Sequence, residues 1–181
     1  VTGLPAIGMI PLLTGIMDRR QMGRFMAHKP TSTVVEAVRN LRTSIMLSDV
    51  DHPPKIVCVT SSIPAEGKTT TAIWLAQNTA MSGQKVLLID CDLRHPSVHR
   101  SLGLANDISL VELLSNTSSL EDAVSHDEES GLFVIVGKET HGNSMDLLAS
   151  NHMKRLLDGV REHFDLIVLD AAPVLALSDA R

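Results

Sequence analysis

The sequence has 181 residues, which is enough for one α/β domain with a substantial core, and its formal net charge is −5. This acidic balance gives no support for a nucleic-acid-binding surface, and no apolar run approaches the roughly 20 residues that a membrane-spanning helix needs. The two cysteines, Cys58 and Cys91, lie in apolar runs without metal-ligand spacing, which predicts reduced core residues.

Residues 1–30 are predicted to be a linker, and residues 31–181 a single domain. Prolines and glycines in the segment LPAIGMIPLL disfavour a regular helix near the start of the chain. A basic run then carries Arg19, Arg20, Arg24 and Lys29. We interpret this run as a solvated tether, with contact to anionic lipid as the alternative.

A helix is predicted to begin near Thr33, because Thr33 and Glu36 fit a capping box. Apolar residues then recur at helical spacing, at Val34, Val38, Leu41 and Ile45. Spacing by three places Glu36, Arg39 and Arg42 along one side of this helix. Two interpretations follow: a weak local ion pair on a solvated face, or a surface that a partner chain engages.

The segment KIVCVTSSIPAEGKTTT has the order of a phosphate-binding loop: a β-branched strand, a turn rich in small residues, then a helix. It fits the pattern G-x-x-x-x-G-K-[ST], with Ser62 in place of the first glycine. Lys68 is predicted to supply charge to the outer phosphates and Thr69 to ligate Mg²⁺. The residues predicted to surround the phosphates are Ala65, Glu66, Gly67, Lys68, Thr69 and Thr70. The backbone N–H groups of residues 65–69 are predicted to converge at a helix N-terminus, which favours anions.

Strands and helices are predicted to alternate along the rest of the chain. The expected strands are 56–59, 85–90, 132–136 and 166–170, and the expected helical segments after the loop helix are 109–115, 120–126 and 150–163. The strands VLLID and LIVLD are apolar throughout, as in parallel strands that are buried on both faces. This pattern predicts a doubly wound, mainly parallel sheet with helices on both faces.

Acidic residues end two of these strands, with Asp90 and Asp92 after one and Asp170 at the end of the other. In a parallel sheet these ends share an edge with the phosphate loop. We therefore expect Thr69, Asp90 and Asp170 to support a metal ion, and Lys68, Asp90 and Asp92 to form the catalytic set. Which of Asp90 and Asp92 is the general base is left open. The structural alternative for each acid is a helix N-cap.

Several segments together resemble the cytoplasmic domain of the bacterial tyrosine kinases that accompany polysaccharide export. SSIPAEGKTTT is similar to the family's Walker A loop, VLLIDCDLRHP to its second aspartate motif and FDLIVLDAAPVLALSDA to its Walker B segment. EAVRNLR matches the family's E-x-x-R-x-x-R element, and LPAIGMIP is similar to the linker that follows its last membrane helix. The resemblance covers nearly the whole chain.

The resemblance implies a P-loop NTPase-like fold that uses ATP and Mg²⁺ for tyrosine autophosphorylation, which regulates exopolysaccharide or capsule polymerisation and export. It also implies ring-like self-association through Glu36, Arg39 and Arg42. The other implied partner is a membrane polysaccharide co-polymerase segment, in the same chain or in another one. The expected location is the cytoplasmic face of the bacterial plasma membrane, without a nucleic-acid partner.

The sequence departs from the family pattern in three places, one of which is the segment 137–144, where the family's customary prolines are missing. The chain also contains no tyrosine, and the family's C-terminal tyrosine cluster and last strands and helices are missing. We therefore expect a fragment whose acceptor tyrosines lie past Arg181 or on another chain. In addition, Ala171-Ala172-Pro173 stands where the family has Thr-Pro-Pro.

Two other functions fit the motifs. Partition and septum-site ATPases share the expected fold, but they carry a signature lysine five residues before the loop lysine, where this chain has Ile63. A nucleotide-responsive scaffold without turnover is the second alternative. The full set of loop and strand-end residues favours catalysis over both.

Overall fold

The computed structural model describes residues 5–13, 19–140 and 144–175. The strands are β1 Ile56–Val59, β2 Val86–Asp90, β3 Val124–Asp127, β4 Leu132–Ile135 and β5 Leu166–Asp170. The longer helices are α1 Arg19–His28, α2 Thr33–Met46, α3 Lys68–Ala80 and α8 Asn151–Val160. The short helices are α4 Val98–Leu102, α5 Leu110–Leu114, α6 Leu120–Ala123 and α7 Ser144–Leu148.

The five strands form one sheet in the order β1-β5-β2-β4-β3. The first four of these run parallel, and only β3 pairs antiparallel, with β4. The register places Asp170 beside Val59 on one side and Asp90 on the other. The carboxyl ends of β1, β5 and β2 therefore meet at one edge of the sheet, as the sequence predicts.

Alternate residues of the central strands supply two separate cores. Val86 and Leu88 of β2 pack with the side chains of α1, α2, α3 and α4, whereas Leu87 and Ile89 pack with those of α5 and α8. All four of these β2 side chains are fully buried. Helices cover both faces of the sheet, which explains why β2 is apolar at successive positions and does not alternate between apolar and polar residues. The predicted fold class, a doubly wound and mainly parallel P-loop NTPase-like sheet, is confirmed.

The second half of the predicted linker is a packed helix. In α1, Phe25 and Met26 are buried, and the Phe25 ring lies 5.5 Å from the ring of Trp74 on α3. The prediction was wrong for residues 19–28 because Pro5 and Pro11 lie before this segment and Pro30 lies after it, so the basic run itself is free to form an amphipathic helix. The prediction that Trp74 fills the core is confirmed.

Replacing Phe25 with alanine is expected to lower the free energy of unfolding by about 3 kcal/mol, the range for truncating a buried aromatic side chain. Urea unfolding followed by circular dichroism measures this loss. The matched control is Leu12→Ala, because Leu12 is 90% exposed and its truncation removes no buried contact. Equal stability of the Phe25→Ala variant and the wild type would show that α1 does not pack on the core and acts as a tether.

Two local predictions also need correction. The N-cap of α2 is Ser32, not Thr33: its hydroxyl accepts from the Val35 N–H at 3.2 Å. The segment 120–126 is helical only as far as Ala123, and residues 124–127 form the edge strand β3. This strand forms because the chain reverses before β4 and allows antiparallel pairing, which helical spacing alone does not reveal.

The two cysteines have different environments. Cys91 is buried, as predicted, but Cys58 is exposed. The core prediction fails for Cys58 because, within the described residues, β1 pairs with β5 alone and lies at an edge of the sheet. Within the same residues, every helix is too short or too polar to cross a membrane.

Candidate functional site

The loop between β1 and α3 turns sharply into the helix. Ala65 has a φ of +66° and Gly67 a φ of +86°, so both adopt the left-handed conformation that turns require. Gly67 is the N-cap of α3 and supplies no side-chain cap. The N–H groups of the first helical turn have no acceptor within the helix itself, and they point out of its N-terminus. This end of α3 therefore presents backbone donors at the sheet edge where the acids lie.

Lys68 and Thr69 contact the strand-end acids directly. The Lys68 ammonium lies 2.8 Å from Asp92 Oδ2, 3.1 Å from Asp170 Oδ1 and 3.1 Å from the Thr69 hydroxyl. The Thr69 hydroxyl donates to Asp170 Oδ2 at 2.6 Å. Four of the residues that the sequence predicts for the site thus form one connected cluster around Lys68, although they are spread over more than 100 positions of the chain.

Burial and charge act in opposite directions on this cluster. Burial disfavours the charged Lys68 ammonium, but Asp170 and Asp92 outweigh it and raise the pKa of Lys68. Burial raises the pKa of Asp170, against the opposing effects of Lys68 and the Thr69 hydrogen bond. Lys68 therefore stays charged at neutral pH, while the Asp170 carboxylate has a higher affinity for protons than an exposed one.

Asp90 lies at the same edge but faces helix α4. Its Oδ2 accepts from the N–H groups of Ser97 and Val98, both at 3.1 Å, and its Oδ1 accepts from Asp92 N–H at 3.2 Å. Burial and the charge of Asp170 raise the pKa of Asp90 to about 7, despite these three hydrogen bonds. Among the described residues, no three acidic, histidine or cysteine side chains form a metal-holding group. Metal ligation by Asp90 therefore stays a prediction.

The raised pKa of Asp90 predicts a pH-dependent stability. The folded state holds this proton up to about pH 7, whereas the unfolded state loses it near 3.8. Between these values the folded state binds more protons, so the free energy of unfolding falls as pH rises, by up to about 4 kcal/mol for a shift of about three pKa units. A carboxyl ¹³C NMR titration should show a midpoint near 7, and Asp90→Asn identifies the resonance. A midpoint near 4 would contradict the buried environment.

Two further residues shape the site, and the sequence interpretation did not include them. A Cβ atom at Gly137 would lie 2.9 Å from the Asp90 carbonyl oxygen and 3.0 Å from Asp90 Cγ, so only glycine fits beside this acid. The Ser97 hydroxyl lies 3.5 Å from the Thr69 hydroxyl. The sequence gives no signal for Gly137, since the contact joins residues 47 positions apart; Ser97 could be suspected from its place just after the aspartate motif.

The donor set fits a magnesium-bound polyphosphate. A hydroxyl and a carboxylate, Thr69 and Asp170, are the oxygen ligands that Mg²⁺ prefers, and the ammonium of Lys68 lies beside them. The N–H groups at the start of α3, with the helix dipole, favour the phosphates. The predicted roles of the loop residues 65–70 are consistent with this arrangement and remain predictions.

The three residues predicted for self-association on α2 have different environments. Glu36 and Arg39 are exposed and form an ion pair with each other. Arg42 is part-buried and donates to the Asn78 carbonyl near the end of α3 at 3.0 Å. Burial, with the nearby charge of Arg39, lowers the pKa of Arg42. Arg42 thus joins α2 to α3 and keeps only part of its surface for a partner, whereas Glu36 and Arg39 are exposed.

The chain is similar to several characterised proteins. A family model described as an AAA domain matches residues 54–180. The tyrosine-protein kinase YwqD of Bacillus subtilis is 39% identical over 164 residues, which cover 91% of this chain and 69% of YwqD. The tyrosine-protein kinase etk of Escherichia coli K12 is 36% identical over 151 residues, 83% of this chain but 21% of etk.

Two solved structures share the fold over almost the whole chain. The kinase domain of the Escherichia coli tyrosine kinase ETK aligns with a TM-score of 0.88 and 32% identity, covering 98% of this chain and 73% of that domain. The chimerical protein CapA2B2 aligns with a TM-score of 0.87 and 29% identity, covering 98% of this chain and 75% of that one.

Proposed function

Because this chain belongs to the AAA domain family and to the bacterial tyrosine-protein kinases, we propose that it binds magnesium-bound ATP at the loop between β1 and α3. There it transfers the γ-phosphoryl group to tyrosine hydroxyls. Since residues 1–181 contain no tyrosine, the acceptors lie outside them. The observation that carries this proposal is the contact of Lys68 and Thr69 with Asp170 and Asp92 at the carboxyl edge of the sheet.

Phosphoryl transfer depends on positioning and charge stabilisation rather than on covalent chemistry by the protein. Bound Mg²⁺ supplies charge that neutralises the phosphate oxygens, and Thr69 and Asp170 are the residues that would hold it. Lys68 supplies a second positive charge, kept ionised by its two carboxylate neighbours. The N–H groups at the start of α3 orient the phosphates.

Asp92 is better placed than Asp90 to receive the proton of an acceptor hydroxyl. Asp92 Oδ2 faces the Lys68 ammonium at 2.8 Å, on the side where the phosphates are expected. The other oxygen of Asp92, Oδ1, accepts from the backbone N–H of His95 at 3.1 Å, whereas Asp90 accepts from three backbone N–H groups. Asp90 therefore acts by fixing the N-terminus of α4 and the loop that carries Asp92.

The direct test is transfer of ³²P from [γ-³²P]ATP and Mg²⁺ to a poly(Glu,Tyr) substrate, with phosphotyrosine identified after acid hydrolysis. The proposal expects phosphotyrosine to form with a strict Mg²⁺ requirement. ATP hydrolysis without phosphotyrosine would instead support the partition-type ATPase, and nucleotide binding without turnover would support a scaffold. Absence of nucleotide binding would contradict the site itself.

We also propose that the protein self-associates through the exposed side of α2. Glu36 and Arg39 form an ion pair within one chain, and in an assembly Arg39 of one copy can pair instead with Glu36 of another. The E-x-x-R-x-x-R element, which in the resemblance mediates ring formation, supports this assignment. Assembly beside a polysaccharide co-polymerase at the cytoplasmic face of the plasma membrane is part of the same proposal.

Replacing Arg39 and Arg42 together with alanine is expected to shift the protein toward monomer in sedimentation velocity. The single Arg42→Ala variant should also lower stability, because it removes the hydrogen bond to the Asn78 carbonyl. Arg155→Ala, at an exposed position on α8, is the matched control. If the double variant keeps the oligomeric mass of the wild type, α2 does not form the interface.

A further inference from the structure

The phosphate loop contains a carboxylate whose charge works against its proposed ligand. Glu66 lies one residue before Gly67, within the turn that is proposed to surround the phosphates of ATP. A negative side chain in that position repels phosphate, so its presence needs another explanation. The structure provides one in the hydrogen bonds that this side chain makes.

One oxygen of Glu66 bridges the start of the loop. Glu66 Oε2 accepts from the N–H of Ser62 at 2.8 Å and from the N–H of Ile63 at 3.1 Å. These two N–H groups precede the group of residues, 65–69, whose N–H groups are proposed to bind phosphate. The side chain thus satisfies donors in the first half of the loop and leaves the second half to the nucleotide.

The other side of the same backbone is held by the segment after β5. The N–H of Val174 donates to the Ser61 carbonyl at 2.9 Å, and the N–H of Leu175 donates to the Ser62 carbonyl at 3.1 Å. The Ser61 hydroxyl donates to the Ile63 carbonyl at 2.9 Å. At Ser62, therefore, both the backbone donor and the backbone acceptor are bound, although the residue is exposed.

This arrangement maintains a conformation that is intrinsically unfavourable. We call the two hydrogen bonds from the N–H groups of Ser62 and Ile63 to Glu66 the Glu66 brace. Ala65 lies between these two residues and Gly67 and has a φ of +66°, which an alanine adopts only at a cost in free energy. Such a residue persists where the surrounding contacts fix the backbone on either side of it. The Glu66 brace supplies these contacts on the strand side, and helix α3 supplies them on the other.

We propose that Glu66 is a positioning residue that forms the phosphate-binding loop before the nucleotide arrives, through hydrogen-bond acceptance and not through its charge. This inference rests on the proposed ATP site. The two proposals can be tested separately, because the hydrogen bonds of Glu66 form without a ligand and their effect on nucleotide affinity is a second, later step. Preorganisation lowers the ordering cost of binding, so the loss of the brace weakens affinity.

The substitutions Glu66→Gln and Glu66→Ala separate the effect of hydrogen-bond acceptance from the effect of negative charge. The glutamine carbonyl oxygen can accept both N–H groups without a negative charge, whereas alanine accepts neither. Glu162→Ala, at an exposed position after α8, is the matched control. Each variant is titrated with magnesium and a fluorescent ATP analogue, and amide hydrogen exchange of residues 61–67 is measured without nucleotide.

We expect Glu66→Ala to bind the analogue about fivefold more weakly and to exchange the Ser62 and Ile63 amides at least about fivefold faster, the scale of the net free energy of one hydrogen bond. Glu66→Gln should match the wild type in exchange and bind the analogue at least as tightly. Unchanged exchange and affinity in Glu66→Ala would overturn the brace, as would equal losses in both variants. If the wild type binds no nucleotide but Glu66→Ala still exchanges faster, the brace stands and the proposed ATP site fails.

Discussion

Replacing Lys68 with methionine is expected to reduce tyrosine phosphorylation at least about a hundredfold, the usual effect of removing one group that stabilises the transition state. Methionine keeps most of the side-chain volume but removes the charge that lies 2.8 Å from Asp92 and 3.1 Å from Asp170. The phosphates then lose a cation, and the Asp92 carboxylate beside them loses its counter-charge. The rate of ³²P transfer from ATP measures this loss.

The fold of the Lys68→Met variant must be checked separately, because removing one partner of a buried ion pair is destabilising. Asp170 is fully buried and has a raised pKa, so it is expected to take up a proton in this variant and relieve part of that cost. Circular dichroism should therefore show a folded, less stable protein. Lys154→Met, at an exposed position on α8, is the control that should retain full activity. An active Lys68→Met variant would contradict the proposed role of the loop lysine.

Replacing Asp170 with asparagine is expected to lower phosphoryl transfer by at least about a hundredfold, because the carboxylate proposed to support Mg²⁺ becomes a neutral amide. The same change removes one of the two oxygens that accept from Lys68 and Thr69. Its effect should be largest at low Mg²⁺ concentration. Initial rates measured across a Mg²⁺ titration give the apparent metal affinity for each protein.

Stability should respond differently to this substitution. Burial raises the pKa of Asp170, which offsets part of the cost of losing its charge, and Lys68 keeps Asp92 as a counter-charge, so we expect a smaller loss of stability than in Lys68→Met. Lost activity with only a small loss of stability would separate a functional role from a structural one. Asp158→Asn, on the exposed side of α8, is the control. Full activity of Asp170→Asn at every Mg²⁺ concentration would exclude this residue from the metal site.

The sequence is most informative where one short segment decides the structure. The strand, turn and helix around Lys68 are as predicted, and so are the apolar strands that end in Asp90 and Asp170. The reason is physical: an unalternating apolar strand has to be buried on both faces, and a parallel sheet then brings the strand ends to one edge. The contact of Lys68 with Asp170 follows from that topology.

The sequence is less informative where a structure depends on contacts between distant residues or on one backbone angle. Helix α1 is fixed by packing of Phe25 on Trp74, and β3 by its pairing with β4. The position of Gly137 against Asp90 joins residues 47 positions apart. The hydrogen bonds of Glu66 depend on the turn at Ala65, which no periodicity encodes. Helical and strand patterns contain none of this information.

A crystal structure of the protein with Mg²⁺ and a non-hydrolysable ATP analogue tests the proposed site most directly. We predict that the polyphosphate lies against the N-terminus of α3, with Mg²⁺ bound by the Thr69 hydroxyl and the Lys68 ammonium moved from Asp92 to the phosphates. An analogue bound elsewhere, or a Lys68 that keeps both carboxylate contacts while the nucleotide is bound, would contradict this account of how the protein works.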